Sequence, residues 1–217
     1  SEGILEVHWT TGNANWESWM YGRSLENYDY YFSWAKWITP SRDLIKDFES
    51  ENDTTRLNQT LVYYACKWSN YYPASKYPFM YKCRSGYNNQ YKLRLADIIL
   101  LEAEAYAYKG DNKNSAALVN LIRNRAKLPN LTADKTATKD AMIEAVLHER
   151  RLELALEGER WYDLCRNNKV EEYLNGLNNR DSGRLTQRKP YDANSYLLPI
   201  PQSALDENSN LQQNPGY

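Results

Sequence analysis

Three glutamates spaced one helical turn apart, Glu149, Glu153 and Glu157, have the residue type and spacing most suggestive of chemistry. Arginines at positions 150, 151 and 160 are interleaved with them. Acid–base catalysis would need one carboxyl group with a pKa well above that of another. Nothing in the spacing distinguishes the three carboxylates in this way. The pattern therefore favours a structural ion-pair network over a catalytic one.

The glutamates lie in residues 142–166, which are predicted to form one long helix because good helix formers fill them without a proline. Apolar residues recur along one stripe at steps of three, four or seven, and others widen this surface, so the helix is expected to be covered on most sides. Arg151 lies within that stripe and is expected to be paired, since an unpaired buried guanidinium is costly.

Aromatic side chains are concentrated early in the chain: six of the seven tryptophans lie in its first third, and most of the nineteen tyrosines lie before residue 92. Trp16 and Trp19 fall in a segment rich in Gly, Asn, Ser and Thr, which is typical of a loop. Two interpretations remain open for these indoles. They fold under the loop as local anchors, or they present a flat surface with polar edges to a ligand.

Composition excludes several function classes. The formal net charge is −1, so no general attraction to nucleic acid or to an anionic membrane is expected. No run of eighteen apolar residues exists to span a bilayer. Two histidines make a histidine metal centre improbable, and the Glu51/Asp53 pair lacks the ligand spacing of a calcium loop. No cofactor is predicted. The three cysteines argue against a disulfide framework, although pairing of Cys66 with Cys83 stays open.

The chain is expected to be a single domain or fragment in three parts: an aromatic, loop-rich part (1–90), a helical core (91–166) and an extended tail (167–217). Strands are predicted at 3–9 and 61–65, and a helix at 39–49 capped by Thr39 or Ser41. Two helices, 91–109 and 115–126, resemble a tetratricopeptide-like hairpin that other helices must cover. Residues 49–56 and 175–195 suggest polar connections, and the prolines near the end predict a tail without regular structure.

Three motifs together resemble the SusD/RagB family of outer-membrane nutrient-binding lipoproteins. They are the hairpin around Leu95–Tyr106 with Leu121–Ala126, the stretch His148–Arg166, and the ending Leu198-Pro-Ile-Pro201 with Gln213-Asn-Pro-Gly-Tyr217. Mild departures are Ala204 where the family often has Glu, and Ser209 where it often has Pro. The resemblance implies a mainly α fold with a tetratricopeptide-like hairpin, a long helix, aromatic loops and little strand.

The resemblance also implies a function. Family members bind glycans or other nutrients without catalysis at the surface of Gram-negative bacteria, and act as a lid on a TonB-dependent (SusC-like) transporter. They are about twice this length and are attached by an N-terminal lipid anchor. This chain, which begins abruptly in a strand-like pattern, is therefore expected to be a C-terminal half without that anchor.

The aromatic segment fits such a ligand, because indole and phenol rings stack on the C–H faces of sugars while amides and guanidiniums bond the hydroxyls. The predicted glycan-binding residues are Trp9, Asn13, Asn15, Trp16, Trp19, Tyr21, Arg23, Tyr28 and Tyr30. A protein–protein scaffold with packed aromatic loops is the main alternative. A glycoside hydrolase using Glu17, Glu26 or Asp29 is a further one, although no motif supports it.

Overall fold

The computed structural model describes residues 2–8, 39–65, 72–82, 89–180 and 190–217, with the side chains of 178–180 excepted. The chain divides into two compact units, Ser1–Gly158 and Glu159–Tyr217. Helices make up most of the regular structure, which confirms the mainly α prediction. Within the described ranges, no helix is long and apolar enough to cross a membrane.

Two small antiparallel sheets lie in the first unit. Strand β1 (Gly3–Val7) pairs with β4 (Gln90–Arg94), with Glu6 opposite Tyr91. Strand β2 (Leu61–Tyr64) pairs with β3 (Tyr77–Met80), with Leu61 opposite Met80. The strands predicted near residues 3–9 and 61–65 are therefore confirmed.

Two helices precede β2, and each begins at a side-chain cap. Helix α1 (Arg42–Ser50) is capped by Ser41, whose Oγ accepts from the Leu44 amide at 3.1 Å. Helix α2 (Thr54–Thr60) is capped by Asp53, which accepts from the Arg56 amide at 3.1 Å. The sequence allowed Thr39 or Ser41 for the first cap, and the structure selects Ser41. Helix α2 could not be predicted from the sequence, because its seven largely polar residues show no apolar periodicity.

The core of the first unit is a helical hairpin covered by a third helix. Helices α3 (Leu95–Tyr108) and α4 (Asn112–Arg125) form the hairpin, and Gly110 between them has a positive φ of 78°. After the short α5 (Ala133–Thr136), helix α6 (Lys139–Glu153) packs across both. The residues buried together are Ala96, Leu100, Ala103, Ala107, Val119, Ile122, Met142, Ile143, Ala145, Val146 and Leu147. This confirms the prediction that another helix covers the hairpin.

The first hairpin helix starts later than predicted. Residues 90–94 form strand β4 instead of the first helical turn, and α3 begins at Leu95. The strand is favoured over another helical turn because pairing with β1 satisfies its backbone groups.

The single long helix predicted for residues 142–166 is wrong, because the chain leaves the helix after Glu153. Leu156 and Gly158 both adopt positive φ, at 71° and 95°. The Glu153 carbonyl accepts from Arg94 Nη2 and from Lys82 Nζ, each at 2.8 Å. In a continuing helix, the Glu153 carbonyl would accept from a backbone N–H; here these two side chains are the donors instead. The helix resumes as α7 (Arg160–Arg166).

The second unit comprises α7, α8 (Val170–Arg180), a 3₁₀ turn (Ala193–Tyr196) and α9 (Gln202–Glu207). Helix α7 ends at Arg166 with Asn167 as its C-cap, which is where the sequence predicted the helix to end. The expected polar loop at 175–195 is wrong in its first part, where α8 continues to Arg180. The expectation of no regular structure near the terminal prolines is also wrong. Pro201 stands just before α9, at a helix start where a missing N–H costs no intrahelical bond.

Candidate functional site: an ion-paired cavity in the first unit

A cavity of about 750 Å³ opens in the first unit beside α2, β4 and the end of α6. Its lining combines charged, amide, hydroxyl and tyrosine side chains. The lining residues are Glu2, Thr55, Arg56, Gln59, Thr60, Tyr81, Lys82, Asn89, Tyr91, Arg94, Arg125, Leu152, Glu153 and Glu157. Its volume falls within the range of about 300–1,000 Å³ usual for ligand pockets.

Glu149 lies behind the cavity and joins two arginines from different helices. Its Oε1 accepts from Arg56 Nη1 at 2.6 Å, and its Oε2 accepts from Arg123 Nη1 at 3.0 Å. Only 1% of Glu149 is exposed. A carboxylate with charge-assisted hydrogen bonds on both oxygens is held in a fixed orientation.

Glu153, one turn later, lines the cavity. It accepts from Arg94 Nη1 at 2.7 Å and also pairs with Arg125. Burial by itself would raise the pKa of Glu153, but the Arg94 and Arg125 guanidiniums outweigh it and bring the pKa below its usual value. Glu153 therefore stays a carboxylate at neutral pH.

Glu157 completes the row of glutamates. It accepts a bidentate pair of hydrogen bonds from Arg94, from Nε at 2.6 Å and from Nη2 at 2.8 Å, and it also pairs with Lys82. Burial lowers the pKa of the Arg94 guanidinium, but Glu157 and Glu153 together raise it by more than burial lowers it. The pKa of Arg94 therefore lies above its ordinary value. Arg94 therefore remains fully charged.

A second layer of ion pairs extends away from the cavity toward α1. Arg123 Nη2 lies 2.7 Å from Glu51, and His148 Nε2 lies 3.0 Å from the other Glu51 oxygen. The His148 hydrogen bond, together with Arg123, lowers the pKa of Glu51 to about 2 although burial opposes this. Asp53 pairs with Arg56 while capping α2. The carboxylates of the Glu51/Asp53 pair are thus committed to protein cations.

The prediction that the three glutamates form an ion-pair network is confirmed, but with different partners. Two of the interleaved arginines pair with other carboxylates. Arg150 Nη2 lies 2.8 Å from Asp97 Oδ1, an ion pair without good hydrogen-bond alignment. Arg151 Nη1 lies 2.5 Å from Asp47, which confirms that it is paired. The cations that reach the glutamates come from α2, β4 and α4, together with Lys82, which lies shortly after β3. The sequence analysis did not identify these cations. The signal that could have indicated them is that carboxylates on a largely buried helix need cationic partners, which can come from distant parts of the chain.

All nine residues predicted to bind glycan lie within 9–38 and so outside the described residues: Trp9, Asn13, Asn15, Trp16, Trp19, Tyr21, Arg23, Tyr28 and Tyr30. The same holds for Glu17, Glu26 and Asp29, and for Cys66 and Cys83. Cys165, expected in the core of a long helix, is a half-buried free thiol in α7.

Comparison with known proteins identifies the class. The fold of this chain matches that of a SusD superfamily protein from Bacteroides vulgatus, with a TM-score of 0.72 at 23% identity over the whole chain and 51% of that protein. The family model described as the SusD family matches residues 9–217. This protein belongs to the SusD family.

Two further relatives are more similar in sequence. A SusD-like protein, P2, of Formosa agariphila is 33% identical over 144 residues, which is 62% of this chain and 27% of that protein. A laminarin-binding SusD-like protein of known structure is 27% identical, with a TM-score of 0.69 over the whole chain and 50% of that protein. The chain therefore spans about half the length of the solved structures it matches.

Proposed function

We propose that this chain is part of a non-catalytic glycan-binding protein of the outer-membrane surface, which passes its ligand to a TonB-dependent, SusC-like transporter. The observation that carries the proposal is its likeness, at 27% identity and over its whole length, to a SusD-like protein that binds laminarin. Membership of the SusD family supports the same ligand class and surface location. A lipid anchor on the complete protein is the membrane attachment we infer.

Binding without hydrolysis is supported by the state of the cavity carboxylates. A glycosidase needs one carboxylic acid that carries a proton near neutral pH and a second carboxylate roughly 5–9 Å away. Glu153 has a lowered pKa and is held by Arg94 and Arg125. Glu157 is held by Arg94 and Lys82. Glu153 is therefore not a proton donor at neutral pH, and both oxygens of Glu157 are already occupied by Arg94.

The principal glycan surface in this proposal is the aromatic segment, with Trp16 and Trp19 as stacking platforms. The remaining predicted residues, which include Asn13, Asn15 and Arg23, would bond to hydroxyl groups at the edges of the rings. The alternative of a protein–protein scaffold predicts no affinity for saccharides, so binding measurements separate the two.

Titration of intrinsic tryptophan fluorescence with laminarin and with plant, host and microbial polysaccharides tests the proposal. We expect a saturable change that is lost in Trp16→Ala or Trp19→Ala. Trp161→Phe is the matched control, because Trp161 lies against Tyr191 in the second unit with ring centroids 5.7 Å apart. A wild-type protein that binds no polysaccharide in the panel would refute glycan binding.

The transporter partner has a separate test. Affinity purification of the tagged, intact protein from its own outer membrane is expected to recover a TonB-dependent transporter in near-stoichiometric amount. Recovery of the protein alone, under conditions in which a known transporter complex survives extraction, would refute the hand-off while leaving glycan binding intact.

A further inference from the structure

We propose that the cavity of the first unit is a second saccharide subsite, selective for neutral sugar units over acidic ones. The proposal shares its ligand class with the proposed function but rests on different residues from those of the aromatic segment. It follows from two observations about the cavity lining: which charged residues form ion pairs with each other, and which polar residues have no hydrogen-bond partner and could bind a ligand.

The charged groups of the cavity are largely neutralised from within. Arg94 is held by Glu153 and Glu157, and Lys82 by Glu157. Arg125 is paired with Glu2 and Glu153. An acidic ligand would have to compete with these carboxylates for cations and would meet their repulsion. The lining therefore disfavours phosphate, sulfate or uronate groups.

Lining groups that lack a hydrogen-bond partner in the described ranges include the side chains of three neutral residues and one nitrogen of Arg56. Within the described part of the chain, the side chains of Thr55, Gln59 and Tyr81 make no hydrogen bond. Each of them both donates and accepts, as sugar hydroxyls do. Arg56 is 9% exposed, and its Nη2 finds no hydrogen-bond partner among the described residues. A buried unsatisfied donor beside a cavity is costly unless water or a ligand oxygen serves it.

Two tyrosine rings give the same cavity an apolar surface. Tyr81 is 48% exposed and Tyr91 is 43% exposed, and both line the cavity. Tyr81 directly follows β3, and Tyr91 lies in β4 opposite Glu6. The C–H faces of sugar rings stack on exposed aromatic surfaces of this kind. Apolar platforms, neutral donor–acceptor groups and a volume of about 750 Å³ together match a short neutral oligosaccharide.

The test is saturation-transfer NMR and calorimetry on the intact protein with neutral laminarin oligosaccharides and with galacturonate oligosaccharides of equal length. Tyr81→Ala and Gln59→Ala, each made in a Trp16→Ala/Trp19→Ala background, isolate the cavity from the aromatic segment. Tyr108→Ala is the matched control, because Tyr108 is 44% exposed on α3 and does not line the cavity.

We expect the laminarin oligosaccharides to retain weak binding in the Trp16→Ala/Trp19→Ala background. Loss of one stacking ring in Tyr81→Ala should then weaken that binding about tenfold, with little change in Tyr108→Ala. If binding disappears with the two tryptophans, or is unchanged in both cavity variants, the subsite is refuted and the proposed function stands. If galacturonate binds as tightly as the neutral oligosaccharide, the inferred selectivity is wrong. If the wild type binds no saccharide, both proposals fail.

Discussion

At the scale of single residues, Glu149 is the side chain on which the ion-pair network depends. It is the shared anion between Arg56 on α2 and Arg123 on α4, and it is almost completely buried. Its removal would leave two guanidiniums short of a counter-charge in a low-dielectric environment. Breaking one partner of such a buried pair is far more costly than losing a surface pair.

Glu149→Gln tests this dependence, since the amide keeps the shape but not the charge. We expect a loss of about 3–5 kcal/mol in the free energy of unfolding, measured by urea denaturation. Glu102→Gln on the exposed face of α3 is the control, and it should change stability by less than about 0.5 kcal/mol. Equal effects from the two substitutions would show that the network contributes no more than an exposed charge does.

The lowered pKa of Glu51 predicts how the stability of the protein depends on pH. Its pKa is lowered from 4.5 to about 2 by the His148 hydrogen bond and by Arg123, against the effect of burial. The unfolded chain therefore takes up this proton at a higher pH than the folded chain does. The stabilisation is complete above about pH 4.5 and is lost as the pH falls toward 2. The lowered pKa of Glu153 acts in the same direction.

Urea denaturation at pH 6 and pH 3 measures this contribution. Because Glu51 is partly exposed, solvent screening should reduce its share to about 1 kcal/mol. We expect Glu51→Gln to remove that share of the acid loss. Glu49→Gln, at an exposed position of α1, should leave it intact. An acid loss in Glu51→Gln as large as in the wild type would contradict the assignment.

At the scale of elements, the sequence predicted the pieces whose signal is local and repeated. The hairpin of α3 and α4 was predictable because its buried alanines and leucines recur at helical spacing. Helix α2 was not, because its stability comes from the Asp53 cap and a buried Arg56 rather than from an apolar stripe. The break after Glu153 was hidden because Leu156 is an unusual residue for positive φ.

The break between α6 and α7 gives a prediction that compares two glycines. Gly158 has φ of 95°, where any Cβ is strained, whereas Gly176 lies in α8, where an added Cβ would meet only open space. We expect Gly158→Ala to destabilise the protein by about 1–2 kcal/mol, and Gly176→Ala to stabilise it by about 0.5–1 kcal/mol. Thermal unfolding measures both. A neutral Gly158→Ala would mean that the turn relaxes without cost.

At the scale of the whole molecule, the site could be predicted only in part. The clustering of the glutamates was visible in the sequence, but their partners lie far along the chain: Arg56 is 93 residues from Glu149 and Arg94 is 63 from Glu157. No local pattern encodes such a pairing, because it arises from how α2, β4 and α6 pack together. The family was predictable because its motifs are long and occur in combination, and the family model then matched residues 9–217.

The charge of the whole chain gives the last prediction. A net charge of −1, together with ion pairs that are mostly internal, leaves little long-range field to attract a ligand. Salt at about 0.5 M screens exposed charges strongly but affects buried pairs and stacking contacts much less. We therefore expect the affinity for laminarin oligosaccharides to change less than about twofold between about 50 and 500 mM NaCl, measured by calorimetry. Unfolding curves at the same salt concentrations serve as the control for the fold. A tenfold loss of affinity with the fold intact would mean that exposed charges carry binding, and would contradict binding through stacking and neutral hydrogen-bonding groups.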